Sequence, residues 1–458
     1  MNILGAVVLL AFPVIALAFY ALLPGRRAML AVVVGGVLFL PMGGFDLPGL
    51  PPYNKATAIA LGMLLGMALF DAQRMRAFRP RWWDIPMVVW CAVPFFSSIT
   101  NNLGPYDGAS GVLRQVLYWG VPYFVGRVYF ADLGALRELA VAIIVGGIVY
   151  VPLCLLEIWR SPQLHRLIYG FYQHSFLQHM RYGGYRPMVF MQHGLAVGWW
   201  MAAATLAAYS AWRLRWQKEV AGLPMGGLFG VLFVTVLLCK AVSAIGLLLL
   251  GMVVLELSRR AMRVWLFVLL ATIVPAYIGA RTTSGLPTEK IGRLAGRFVD
   301  EQRVESFTSR LVQEDVLVGD VLQRPVFGLS YNVRFTTETG ERRLRGWDSM
   351  WLISLYMFGF VGLVSLCLSI MLPALAYVWR SRSFQWDGTL VPAGTVLSLI
   401  LLLWMIDNLA NAMLNPVWVL AAGGLATVQT LCSLPRLSPA TCTLRKPAGT
   451  LHRGAWRA

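Results

Sequence analysis

Apolar blocks about as long as a bilayer is thick recur along this chain, and that feature decides most of what it can fold into. Ala6 to Leu23, Leu136 to Leu156 and Leu228 to Leu255 are three of them. A helix needs about 20 mostly apolar residues to cross the hydrocarbon core. Reading apolar runs between charged or Pro/Gly-rich breaks gives about 12 or 13 spans of roughly 16 to 28 residues. They lie near residues 3–23, 28–42, 56–70, 85–99, 115–130, 136–156, 188–212, 225–239, 241–257, 264–280, 349–378, 390–406 and 409–431. The expected class is therefore all-α, a polytopic transmembrane helical bundle. Composition agrees: only 13% of residues are charged and 58% are hydrophobic, against roughly 25% charged in a soluble domain. An ordinary cytosolic enzyme is excluded.

The charge balance needs a membrane to make sense of it. Lys and Arg number 39 against 21 acids, a net +18, which in a soluble protein would point to nucleic acid. No basic, aromatic-interleaved soluble domain is present to bind one, so membrane lipids are the expected partner and nucleic acid is not. Basic clusters at Arg26/Arg27, Arg74 to Arg81, Arg127/Arg137, Arg213 to Lys218, Arg259 to Arg263 and Arg380/Arg382 mark every second connection. The positive-inside rule makes these cytoplasmic, with the C-terminus inside and, for an odd number of spans, the N-terminus outside. Arg26 and Arg27 follow the first apolar run, as in a retained span rather than a cleaved signal peptide.

Two long connections then fall outside, residues 157–187 and 281–347, and they are the expected seat of function. Residues 1–432 form one transmembrane domain that includes both loops, and 433–458 form a basic cytoplasmic tail without regular structure. In the second loop, Ser306 to Gln323 has helical spacing, with Leu311, Val318 and Leu322 on one side and a stop at Pro325. An amphipathic helix on the outer membrane surface is expected.

Four of the five histidines, His165, His174, His179 and His193, lie in or just after the first outer loop. Glu157 is the one acid nearby and no HxxxH or HExxH spacing occurs, so no metal site is expected. The six cysteines make no CxxC and imply neither zinc nor a disulfide framework. Arg186 to Gly194 (RPMVFMQHG) is more specific: it sets a cation and an imidazole at the outer end of a span, where charge is costly unless it serves a ligand. The second loop offers Arg310, Arg324 and Arg342-Arg343-Leu-Arg345. Arg310 either pairs with Glu314 four residues on or, with the other arginines, clamps a diphosphate through guanidinium forks. Asp348 either caps the helix that follows or acts as a general base. Lys240 either snorkels to headgroups or faces a phosphate. Asp407, Asn411 and Asn415, at i, i+4 and i+8, form a polar stripe that is either capping before Pro416 or the wall of a cleft.

Between about residues 110 and 425 the order of these features resembles the superfamily of bacterial O-antigen ligases and Wzy-type polysaccharide polymerases. The resemblance rests on the first outer loop with Arg186-Pro and a span, the hairpin at Lys240 to Gly246, and Ser309-Arg310-Leu311 followed by Arg324-Pro-Val-Phe-Gly-Leu-Ser-Tyr. Trp347-Asp348-Ser-Met-Trp-Leu-Ile-Ser-Leu-Tyr-Met-Phe-Gly359-Phe-Val-Gly362 is similar to the family's His-Asn start of a span with a Gly-x-x-Gly pair. The chain departs from the pattern at Asp348, where the ligases usually have His, and at Lys240, where they often have Ser-Arg.

The resemblance implies metal-independent glycosyl transfer without a cofactor, at the periplasmic face of the bacterial inner membrane. An undecaprenyl-diphosphate-linked glycan would be the donor and a saccharide or lipid-linked hydroxyl the acceptor. Arg186, Arg310, Lys240 and Arg345 would then hold the diphosphate, and Asp348 or His193 would serve as base. The departures favour an exopolysaccharide-type polymerase over a true ligase. A lipid-linked glycan flippase or other secondary transporter is the alternative, although no internal repeat of the kind common in transporters is visible.

Overall fold

Each expected span overlaps a helix in the computed structural model, although those expected from residues 188 and 409 begin only at Gly194 and Pro416; the structure describes residues 1–181, 183–257, 260–283, 311–312, 314–330, 349–381 and 391–431. The helices are α1 (Ile3–Leu22), α2 (Gly25–Phe39), α3 (Lys55–Phe70), α4 (Ala72–Arg76), α5 (Ile85–Thr100), α6 (Pro105–Gln115), α7 (Val121–Tyr129), α8 (Leu133–Arg160), α9 (Leu164–Tyr169), α10 (Gly194–Arg213), α11 (Met225–Leu238), α12 (Val242–Leu257), α13 (Arg260–Thr283), α14 (Met350–Arg380), α15 (Val391–Asp407) and α16 (Pro416–Leu431). Strands among the described residues are two-residue pairs, so the class is all-α. Five stretches, Ile3–Leu22, Trp82–Thr100, Leu133–Arg160, Val264–Thr283 and Met350–Arg380, are long and apolar enough to cross a membrane. A π-helical turn, Val116–Gly120, joins α6 to α7.

Helices α10 and α15 sit at the centre. Nearly every residue of both is buried, as expected of helices that are apolar all round. Around them, α16 lies against α7 so closely that a Cβ on Gly126 would stand 2.1 Å from the Leu420 carbonyl oxygen, and one on Gly423 2.1 Å from that of Tyr123. Small residues let helix backbones approach where lipid supplies no hydrophobic drive.

The helices run up and down between two ends that differ in their use of charge. At the basic end, cations that the sequence places in loops are spent on protein partners. Arg26 pairs with Asp132 and Glu138 at 2.8 and 3.0 Å, and Arg213 with Glu256 at 2.7 Å. Arg127 is buried: its Nε donates to Asp84 Oδ1 at 2.8 Å, Nη2 to Asp84 Oδ2 at 3.0 Å and Nη1 to Thr427 Oγ1 at 2.7 Å. The opposite end, here the crown, carries loops 40–54, 161–193, 239–241 and 408–415.

Two motifs that are distant in sequence meet at a break in α14. Gly359 has φ +63°, and the interrupted helix is patched by segment 325–330. Leu329 N donates to Tyr356 O at 2.8 Å and Ser330 N to Met357 O at 3.0 Å, while Phe360 N donates to Pro325 O at 2.7 Å. A Cβ on Gly359 would lie 2.3 Å from Val326 O, and one on Gly328, at φ +67°, 2.5 Å from Tyr356 O. The Pro-x-x-Gly turn and the glycine of the kink thus require each other.

The helix expected over Ser306 to Gln323 is present where described, residues 311–312 and 314–321, with one correction. Leu311 and Val318 are buried but Leu322 is 47% exposed, and Val321 completes the apolar side. Glu314 accepts from Tyr277 at 2.8 Å and from Arg281 Nε at 3.0 Å, so it ties this helix to α13. The tail 433–458 lies outside the described residues.

Replacing Asp84 by Ala leaves Arg127 buried without its carboxylate, a change that costs about 3–5 kcal/mol. The thermal midpoint of the detergent-solubilised protein should fall, and Asp84→Ala combined with Arg127→Met should recover part of the loss.

Candidate functional site

The first crown loop is built around Glu157, in the last turn of α8. Its Oε1 accepts from Leu164 N at 2.9 Å, and its Oε2 from Met188 N and Val189 N, both at 2.8 Å. One carboxylate therefore holds the start and the return of the loop. The returning residues Met188, Val189, Phe190 and Met191 are buried yet not helical, so their backbone groups need side-chain partners. Gln173 Nε2 donates to Val189 O and Met191 O at 3.1 Å each, and Lys55 Nζ to Phe190 O at 2.8 Å and Leu40 O at 2.9 Å. Val189 stands at φ +48°, a strained conformation for a β-branched residue, and the Glu157 contact is made at its N–H. The span expected from residue 188 therefore begins only at Gly194.

This anchoring delivers Arg186 to a second crown element. Lys240, in the turn between α11 and α12, has φ +53°. Arg186 Nη2 donates to Lys240 O at 3.2 Å, Arg186 N to His179 O at 2.8 Å, and Lys240 Nζ to Arg181 O at 3.1 Å. The hairpin of β1 (Met180–Arg181) and β2 (Gly184–Tyr185) lies over the turn, and a Cβ on Gly184 would meet Lys240 Nζ at 2.3 Å. Arg186 is 8% exposed, pairs with no carboxylate among the described residues, and leaves its Nε without a hydrogen-bond partner there. Burial, and then the charge of Arg181, lower its pKa to about 10. A desolvated, unpaired cation of this kind favours an anionic ligand.

His193 stands beside this group. Its Nδ1 accepts from Leu195 N at 3.0 Å, which caps α10. A neutral ring in that arrangement carries its proton on Nε2, so His193 offers a donor, and its expected role as base does not fit this geometry. Burial first, then His179, His174 and the two arginines, lower its pKa to about 3; burial and neighbouring His174 lower that of His179 to about 4. His165 is structural: its Nε2 accepts from Met42 N at 3.1 Å and its Nδ1 lies 2.9 Å from Phe171 O.

Next to His193, a cavity of about 310 Å³ is lined by Lys55, Tyr118, Gln192, Trp199, Asn415 and Trp418 among others. The expected polar stripe Asp407/Asn411/Asn415 divides here, because α15 ends at Asp407 and residues 408–415 are not helical. Asn415 lines the cavity and caps α16 through Val417 N at 2.9 Å, whereas Asp407 and Asn411 are buried and bonded to each other at 2.9 Å. Arg324 is used structurally, donating to Thr100 O at 3.1 Å and Asn101 Oδ1 at 2.6 Å. Arg310, Arg345 and Asp348 lie outside the described residues. The structure thus brings together Arg186, Lys240 and His193 of the expected site residues. Glu157, Gln173 and Lys55 were missed as loop anchors; the signal was an acid isolated among arginines at the end of a span.

No protein-family model matches the chain, and no curated protein is similar to it. The fold and membrane class stand on the sequence pattern and the structure.

Because His179 and His193 titrate below the usual histidine value near 6.5, the unfolded state takes up more protons than the folded one as pH falls below that value. Stability present above about pH 6.5 is lost on acidification toward the folded values. The thermal midpoint should drop between about pH 7.5 and pH 5, and the drop should be smaller in His179→Gln.

Proposed function

We propose that the chain is a glycan polymerase or ligase that transfers an undecaprenyl-diphosphate-linked saccharide to an acceptor hydroxyl at the periplasmic face of the bacterial inner membrane. The observation that carries this reading is the buried Arg186, without a carboxylate partner among the described residues and held against the Lys240 turn, with Arg181 alongside. The motif order that resembles the O-antigen ligase and Wzy superfamily supplies the reaction class.

In that reaction the acceptor oxygen bonds to the anomeric carbon as the carbon–oxygen bond to the diphosphate breaks, and the hydroxyl proton passes to a base. Negative charge grows on the leaving lipid diphosphate, where cations fixed beforehand stabilise the transition state most. Arg186 and Lys240 take that role, with Arg310 and Arg345 as further members of the clamp. Asp348 is the base, and His193, protonated on Nε2, donates a hydrogen bond to donor or acceptor. The cavity beside Gln192 and Trp199 accommodates an apolar or sugar portion of a substrate. Its presence also suits the competing reading, transport of the same lipid-linked glycan.

Purified protein extending a lipid-diphosphate glycan in detergent would separate enzyme from transporter. Arg186→Ala should lower the transfer rate by about 100-fold. Lys240→Asn removes the second cation with a residue that tolerates positive φ, and should also reduce transfer. Unchanged transfer in both variants, with normal insertion, would refute the clamp.

A further inference from the structure

Three imidazoles that the sequence scatters meet in the crown loop. His174, His179 and His193 each bring a ring nitrogen to within 4.8 Å of the others, and their ring centroids are 4.6, 4.8 and 5.6 Å apart. Both nitrogens of the fully buried His179, and Nδ1 of His174, lack a hydrogen-bond partner among the described residues. Native proteins seldom leave such atoms unsatisfied, and a neutral imidazole always has one lone pair to give.

We propose that His174, His179 and His193 bind one transition-metal ion of the zinc class, which fastens the crown loop to the first turn of α10. An all-imidazole set selects zinc, copper or nickel over magnesium and calcium, which prefer oxygen ligands. The fourth position is left for water or an anionic oxygen. Zinc–nitrogen bonds of about 2.0–2.1 Å put tetrahedral ligand atoms about 3.4 Å apart, so the rings must close by roughly an ångström, and His174, half-buried where His179 and His193 are buried, is the one with most room to swing.

Two features limit the affinity. The His193 lone pair already receives the Leu195 N–H, so a metal on either nitrogen displaces the cap. The Arg186 guanidinium close by also opposes a divalent cation. The sequence hid the site because its ligands follow neither a helical nor a strand period: the loop's fold, set by Glu157, brings them together. The inference does not depend on the proposed glycosyl transfer, since its readout is metal binding.

The test is a calorimetric titration of the full-length, detergent-solubilised protein with zinc chloride. One ion per chain is expected, with magnesium giving no binding. His174→Ala, which alters the least buried of the three side chains, and His179→Gln should each weaken zinc by at least about tenfold. His193→Asn should do the same while keeping the thermal midpoint, because asparagine also caps helices. No zinc binding by the wild-type protein, or binding unchanged in His174→Ala and His193→Asn, would overturn the proposal.

Discussion

The crown depends on a single carboxylate. Between α8 and α10 the chain returns into the bundle as buried, irregular backbone, which is tolerated at such a place only if its polar groups are satisfied by protein. Glu157 meets two of its N–H groups, at Met188 and Val189, and that of Leu164 at the start of α9, while Gln173 and Lys55 take the carbonyls. Without that set, Val189 would have no reason to hold a positive φ, and Arg186 no fixed path to the Lys240 turn.

The two ends treat the chain's cations, in excess by 18 overall, in different ways. At the basic end, arginines are neutralised by Asp84, Asp132, Glu138 and Glu256. In the first crown loop the one acid, Glu157, is committed to backbone N–H groups, so among the described residues Arg186 has no carboxylate partner. The same scarcity of acids leaves the three histidines facing one another with no carboxylate in the group among the described residues. An anion for the arginines and a metal for the imidazoles are separate demands made by adjacent groups.

The sequence made the helices legible because apolar length is a local property; the spans expected at 28–42 and 409–431 are helical over Gly25–Phe39 and Pro416–Leu431. Arg186, Lys240 and His193 were also legible as polar residues at helix ends. What could not be read was long-range. The pairing of Gly328 with Gly359, the burial of Arg127 on Asp84, and the meeting of His174, His179 and His193 each join residues that no helical or strand period links. Role assignments suffered for the same reason. His193 reads as a base from its type, but its Nδ1 bond to Leu195 N makes it a cap.

The most direct measurement is equilibrium binding of undecaprenyl diphosphate to the purified protein, wild type against Glu157→Gln. Glutamine fills the same space but turns one acceptor oxygen into a donor facing the backbone N–H groups. If Glu157 sets the cation cleft for a lipid diphosphate, the variant should keep its helical content and bind the lipid about tenfold more weakly. Equal affinity in the two proteins, or no affinity in either, would contradict it.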